Sequence, residues 1–281
     1  MPELPEVETI RRGLEKYLVG KKIESVEIKL IKQFSGDKHN IENQKITKVD
    51  RFGKGLVIEF ANNYCLAIHI KLTGQLVYRG EDQPTHLDVS KTRVGALPNK
   101  WTHVIFHLNH NATLFYNDLR QFGWLKVTQK DKLKDLPFFK ELGPEFFKEL
   151  TLEKFTQILA KTKGPIKPLL MDQKKMSGIG NIYANDALFL AKILPTRPAN
   201  SLTSQEVSAL FSAIEKVLTK GLENGGSSEL TYVNALGEEG NYQNHTLVYG
   251  KEKKKCPTCG GIIKKTMLAG RGTFFCSNCQ K

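Results

Sequence analysis

No apolar run in these 281 residues approaches the ~18 needed to cross a membrane, and no basic start leads into an apolar stretch. Neither a membrane span nor a secretory leader is therefore expected, and the chain reads as cytoplasmic. Cysteine is scarce, with five in the chain and four of them beyond residue 255. In a reducing compartment these are thiols or metal ligands rather than disulfides. Internal repeats and low-complexity tracts are absent, which leaves ordinary globular domains. Acid is short as well: 29 Asp and Glu stand against 42 Lys and Arg, a net charge of +13. An excess of that size points to a polyanionic partner, nucleic acid before any other. A membrane surface is the weaker alternative, because no stretch concentrates Lys and Arg on one helical face.

The length suggests about two domains, and the pattern divides further. Residues 5–18, "PEVETIRRGLEKYL", place Val7, Ile10, Leu14 and Tyr17/Leu18 on one helical face. Pro5 suits a first turn, and Glu6 and Glu8 suit the positive end of the helix dipole. After Gly20 the period falls to two: "KIESVEIKL", "GLVIEF", "YCLAIHIKL", "THVIFHL", "ATLFYND" and "GWLKV" are short, β-rich and separated by turn residues. An antiparallel sandwich or barrel over 1–130 is the expectation. Residues 131–150 read as a linker with a short helix. From Thr151 the chain is helical: "LEKFTQILAKT", "IKPLLMDQ", "NIYANDALFL", and a long helix that begins with a capping box at Thr203 and Glu206 and stops near Gly225. A Gly/Asn-rich loop closes this 151–246 region, and loops of that length are usually functional or disordered. Residues 247–281 form a basic, cysteine-rich tail. The expected class is α+β and multidomain.

Cys256, Cys259, Cys276 and Cys279, spaced C-x2-C-x16-C-x2-C, are the strongest signal. Four thiolates at this spacing fit one tetrahedral Zn²⁺ between two knuckles joined by a β-hairpin, a closed and hence structural site. The surrounding segment 251–281 carries eight Lys/Arg and one acid, as a phosphate-binding finger would. Cys65, on a strand, reads as core. Gly178 and Gly180 precede a helix start at Asn181, where backbone N–H groups could hold a phosphate; a tight turn fits equally well. The opening "MPELPEVETI" has two readings. If Met1 is removed, Pro2 presents a secondary α-amine, whose reference pKa near 7.7–8.0 leaves much of it nucleophilic at neutral pH. Glu3 and Glu6 would then move protons and hold the amine. Alternatively the prolines only stiffen a helix start that the acids cap. Taken alone, these residues favour the second reading slightly.

Combined with "GKGL" around Lys54, "HIKLTG" (69–74), "DLRQFG" (118–123), "ELGPE" (141–145), "GIGNIYA" (178–184), "VYG" (248–250) and the finger with its "GRGTFFC", the chain resembles the formamidopyrimidine-DNA glycosylase family almost end to end. The resemblance implies a β-sandwich with an N-terminal helix, a helix–two-turns–helix domain and a zinc finger. It implies a bifunctional glycosylase and lyase that removes oxidised purines from duplex DNA, with Pro2 attacking C1′, Glu3 shuttling protons and Glu6 holding the amine. By matching position it assigns Leu72, Arg120 and Phe122 to the space the lesion vacates. Lys54, His69, Lys167, Asn181, Tyr249 and Arg271 are assigned to the DNA around the lesion, with Lys54 and Arg271 nearest the chemistry. The loop 226–241 would close over the extruded base. A monomer is implied, working on bacterial DNA without an organic cofactor.

Departures from the family pattern are few. Leu72 replaces a usual Met, keeping apolar volume while losing a flexible thioether. Lys71 stands where Gly or Arg is usual. Asp186 stands where a longer acid is usual, which suggests a looser contact there. The loop "TYVNALGEEG" lacks the usual Asp before its Gly, which bears on base preference. Two other readings remain. One is endonuclease VIII-like excision of oxidised pyrimidines, disfavoured by Leu4 and by an intact "DLRQFG". The other is a zinc-dependent DNA-binding protein without catalysis.

Overall fold

The computed structural model describes residues 1–84, 92–229 and 231–281. The chain forms two compact units, 1–140 with 222–243 and 141–221 with 244–281. The sequence grouped 222–243 with the helical region. In the structure these residues belong with the first unit, because Tyr232, Ala235 and Leu236 join its apolar core.

In the first unit, helix α1 (Leu4–Leu18) opens with a reciprocal capping box between Glu3 and Glu6. It buries Leu4, Val7, Ile10, Leu14, Tyr17 and Leu18, and the chain turns away at Gly20, whose φ of +92° suits glycine. Among the described residues nine strands follow: β1 (Ile23–Ile28), β2 (Phe34–Ser35), β3 (Ile46–Phe52), β4 (Gly55–Phe60), β5 (Tyr64–His69), β6 (Gly74–Arg79), β7 (Thr102–Leu108), β8 (Ala112–Asp118) and β9 (Trp124–Gln129). They form a four-stranded sheet, β1-β7-β8-β6, and a five-stranded sheet, β2-β9-β5-β4-β3. All pairs are antiparallel except the two-residue β2, which runs parallel to β9. One core takes the inward residues of both sheets and the apolar face of α1, where Tyr17 and Tyr78 stack at 5.1 Å.

The register places the site. His69, at the end of β5, pairs with Trp124 in one sheet, and Gly74, at the start of β6, pairs with Asp118 in the other. Two connections therefore cross between the sheets at the same end, 70–73 and 119–123. The run "YCLAIHIKL", expected as one strand, breaks there, since Lys71 takes φ +50°. Gly74 N–H bonds Ile70 O at 2.9 Å, closing the first crossing into a tight turn. A short helix α2 (Pro137–Lys140) ends this part of the unit.

The second unit holds α3 (Leu152–Ala160), α4 (Ile166–Met171), α5 (Asn181–Leu190) and most of α6 (Ser204–Glu223), then the hairpin β10 (Lys264–Leu268) and β11 (Arg271–Phe275). Helix α6 starts with the expected Thr203–Glu206 box, Thr203 N–H donating to Glu206 Oε2 at 2.8 Å. Helix α5 is buried from Ile182 to Phe189 and so carries no polar face. Among the described residues no helix is long and apolar enough to cross a membrane.

Candidate functional site

In the first unit, Pro2 is buried and leads into Glu3 and Glu6, which are 2 % and 1 % exposed. The Glu3 N–H donates to Glu6 Oε2 at 2.7 Å, and the Ser227 N–H donates to Glu6 Oε1 at 2.8 Å. Each Glu6 oxygen thus has a backbone donor, so the carboxyl is fixed beside the chain start. Gly226 permits this approach: at φ +83°, a Cβ there would meet Glu6 Cγ at 2.8 Å. Burial and the Glu6 charge push the Tyr232 phenol well above its usual range, and its hydroxyl donates to Gly225 O at 2.8 Å.

Lys54 lies in the β3–β4 turn and is 3 % exposed. Arg51 ties that turn to α1, with Nε on Glu8 Oε2 at 2.9 Å and Nη1 on Gly53 O at 3.0 Å. Burial opposes ionisation of Glu8, but hydrogen bonds from Arg11, Arg51 and Arg12 bring its carboxyl down to about 2. His69 sits edge-on to Phe138 at 4.6 Å. Its Nδ1 accepts the Lys71 N–H at 3.0 Å, which puts the ring proton on Nε2. Burial first, then the Lys71 and Lys54 charges, drive the imidazole down to about 3. It is a neutral donor at physiological pH.

The two crossings hold Leu72 on one side and Leu119, Arg120 and Phe122 on the other. Phe122 is 53 % exposed, and the Arg120 guanidinium stands 4.9 Å from its ring. Thr73 Oγ1 accepts the Arg120 N–H at 2.9 Å and donates to buried Asp118. Sequence reasoning named Leu72, Arg120 and Phe122 but passed over the groups beneath them. Asp118 was part of a quoted motif, and only its position at a strand end hinted at a role. Gln33, whose Nε2 donates to Asp118 Oδ2 at 2.8 Å, carries no such signal.

Loop 226–241 packs onto the same unit, with the exception that Leu230 lies outside the described residues. Tyr78 N–H bonds Ala235 O at 2.8 Å, Gln75 Nε2 bonds Thr231 O at 2.6 Å and Arg79 Nη1 bonds Leu236 O at 2.9 Å.

In the second unit, Asn181 opens α5 with Gly180 as its cap. Gln173 shapes the preceding turn, accepting the Gly178 N–H at 2.9 Å and donating to Ile179 O at 2.9 Å. Lys167 is 1 % exposed, with Nζ on Gly272 O at 2.9 Å and Thr273 Oγ1 at 2.7 Å. The sequence placed its ammonium on DNA; its burial puts it beneath the hairpin that carries Arg271. Asp186 accepts the N–H groups of Leu247, Val248 and Tyr249 at 2.9, 2.9 and 3.1 Å. The shorter acid is therefore held tightly rather than loosely. Tyr249 lies edge-on to Phe274 at 5.2 Å, and Arg271 is exposed beside the turn at Ala269 and Gly270, which take φ +48° and +71°.

The Sγ atoms of Cys256, Cys259, Cys276 and Cys279 lie within 4.8 Å of one another. Cys256 and Cys279 are 3.7 Å apart and Cys259 and Cys276 3.5 Å. Thiolates around a tetrahedral zinc, each bonded at ~2.3 Å, stand about 3.8 Å apart. The donor set fits one structural Zn²⁺ with no position left for substrate. Cys65 is a strand residue of the first unit, and burial, with Glu59, pushes its thiol up to about 11, as suits an inert core residue.

The chain thus carries two β-sheets, a buried pair of acids at the start of α1, a helical region and a four-cysteine finger. Three family models match it in order. Residues 1–125 match the formamidopyrimidine-DNA glycosylase N-terminal domain, 142–232 its H2TH domain and 253–281 the zinc finger found in FPG and IleRS. The formamidopyrimidine-DNA glycosylase of Pelotomaculum thermopropionicum is 42 % identical over 287 residues, covering 100 % of this chain and 99 % of that one. Among solved structures, the Lactococcus lactis Fpg in complex with DNA containing N7-benzyl-Fapy-dG aligns with a TM-score of 0.87 at 35 % identity, covering 100 % of both chains. The same protein with DNA containing an oxidised pyrimidine aligns at 0.86 and 35 %, again over 100 % of both. The chain belongs to the formamidopyrimidine-DNA glycosylase family.

Proposed function

We propose that this protein is a base excision repair glycosylase and lyase that removes oxidised purines from duplex DNA, with Pro2 as its nucleophile. The observation that carries the reading is the buried Glu3–Glu6 pair next to Pro2, in which backbone donors at 2.7 and 2.8 Å lock the Glu6 carboxylate. Such fixed acids beside an α-amine are what iminium chemistry needs. With Met1 removed, the Pro2 nitrogen bonds C1′ while the bond from C1′ to the base breaks. The base leaves with the electron pair and takes a proton. Glu3 shuttles protons between the sugar and the departing group, and Glu6 holds the amine. The attached nitrogen gives up its proton, the C1′–O4′ bond breaks as O4′ is protonated, and the nitrogen lone pair forms the iminium of the opened sugar. Loss of the C2′ proton from the iminium expels the 3′ phosphate, a second elimination expels the 5′ phosphate, and water frees Pro2.

Extruding the lesion costs a few kcal/mol of stacking and pairing. Leu72, Arg120 and Phe122 fill the space and offset that cost, and Arg120 donates to the orphaned base. Lys54, His69, Asn181, Tyr249 and Arg271 grip the backbone, and Lys167 supports the hairpin bearing Arg271. Zn²⁺, held by the four cysteines, supplies the finger's fold and takes no part in the chemistry. Loop 226–241 closes over the extruded base. A monomeric state, the lack of an organic cofactor and action on cytoplasmic DNA belong to the same proposal.

Borohydride trapping on a duplex holding 8-oxoguanine opposite cytosine tests it. A covalent adduct, lost in Pro2→Gly, is expected. An intact-mass measurement first establishes that Met1 is absent, and no adduct from such protein would sink the reading. A competing thymine glycol duplex decides between purine and pyrimidine lesions. The family's oxidised-pyrimidine complex keeps that comparison necessary.

A further inference from the structure

The segment 119–123 presents a physical problem. Leu119 and Phe122 are 44 % and 53 % exposed, and Gln121 takes φ +57°, so neither packing nor backbone preference holds this turn in shape. What holds it lies underneath. Asp118 is fully buried, and its Oδ2 accepts from Gln33 Nε2 at 2.8 Å, the Gly123 N–H at 2.8 Å and the Tyr116 hydroxyl at 3.3 Å. Its Oδ1 accepts from Thr73 Oγ1 at 2.5 Å, and His103 Nε2 donates to its main-chain carbonyl at 2.9 Å. The same Thr73 oxygen accepts the Arg120 N–H at 2.9 Å. One carboxylate thus grips both ends of the 119–123 turn and, through Thr73, the neighbour of Leu72.

Gln33 shows how strongly the carboxylate organises its surroundings. Its Nε2 serves Asp118 and Gly123 O, while its buried Oε1 has no hydrogen-bond partner. An amide accepts that loss when its donor end faces a charge. Gly123 completes the clamp, since a Cβ there would come within 2.0 Å of the Tyr116 hydroxyl.

We infer that Asp118, acting through Thr73 and the Gly123 N–H, is a positioning residue that clamps the Leu72 and Arg120–Phe122 crossings together as one rigid wedge. The inference rests on the proposed role of those three side chains in filling the vacated space. A duplex holding 8-oxoguanine needs the wedge to extrude its base, whereas a duplex whose abasic site is already formed has no base to extrude. Asp118→Asn replaces one acceptor oxygen with an NH2 group that faces donors. The clamp loosens while shape is retained.

The experiment compares single-turnover borohydride trapping on the two duplexes. For Asp118→Asn the ratio of lesion rate to abasic-site rate falls by about 30-fold, the scale of one or two lost hydrogen bonds to a charge. Thr73→Val, which removes only the hydroxyl, lowers the ratio by about 10-fold. In a Phe122→Ala background Asp118→Asn adds less than 3-fold, because the part it orients is already gone. Equal losses on both duplexes would overturn the inference, as would no loss or full additivity with Phe122→Ala. If the unaltered enzyme traps on neither duplex, the proposed function fails instead.

Discussion

Replacing His69 by Gln should make the protein less sensitive to acid. The imidazole is 4 % exposed, and burial with the Lys71 and Lys54 charges holds it at about 3 instead of 6.5. The other rings packed against it, Trp124 and Phe138, do not titrate. Between these two pH values the unfolded chain binds a proton that the folded chain refuses, so stability falls as pH drops below 6.5. One pH unit is worth up to 1.36 kcal/mol, which makes the loss between pH 7 and 5 about 2 kcal/mol from this group alone. Urea unfolding of both proteins at pH 7 and pH 5 isolates the effect, since every other titrating group is common to the pair. The His69→Gln protein should lose about 2 kcal/mol less than the parent over that interval. Equal losses would show that His69 protonates in the folded state and would refute the neutral-donor assignment.

Four further outcomes are expected. Asp186→Ala leaves three backbone N–H groups without their acceptor and should destabilise the second unit by about 3–5 kcal/mol in urea; a change under about 1 kcal/mol would contradict it. Metal analysis should find one zinc per chain, and Cys276→Ser or prolonged chelation should remove it together with DNA affinity. Gly123→Ala should cost about 2–3 kcal/mol in a melting experiment, and Tyr116→Phe should recover part of it by removing the atom 2.0 Å from the new Cβ. In salt titrations of DNA binding, Arg271→Ala should lower the slope by about 1, whereas His69→Gln should leave it unchanged, because a neutral imidazole releases no counterion.

Legibility in the sequence followed how locally each feature is determined. Helix α1 could be read because its caps and apolar stripe lie within fifteen residues. The finger could be read because metal spacing is a local rule. Strand β3 was missed, since Arg51 occupies an inward position and a register shift lies between Ile46 and Lys48. Strand β6 was hidden because the break before it falls at Lys71, whose φ of +50° carries no glycine or proline to mark it. The same limit applies to the site. Pro2, Glu3 and Glu6 were visible as a constellation, but Ser227 and Gln33 reach their partners only through the tertiary fold. Lys167 was assigned to DNA by its matching position, because a sequence cannot show that a lysine's ammonium has carbonyl and hydroxyl partners inside.

Ser227 stands 221 residues after Glu6, yet supplies the donor for one of its oxygens. A ribosome adding roughly 5–20 residues per second needs about 10–45 s to cover that distance. For the last part of that interval, after β9 ends at Gln129, the nascent chain has its first helix and the strands of both sheets while Glu6 still lacks one of the bonds that fix it. The earliest part of the protein to be made is therefore among the last to be finished.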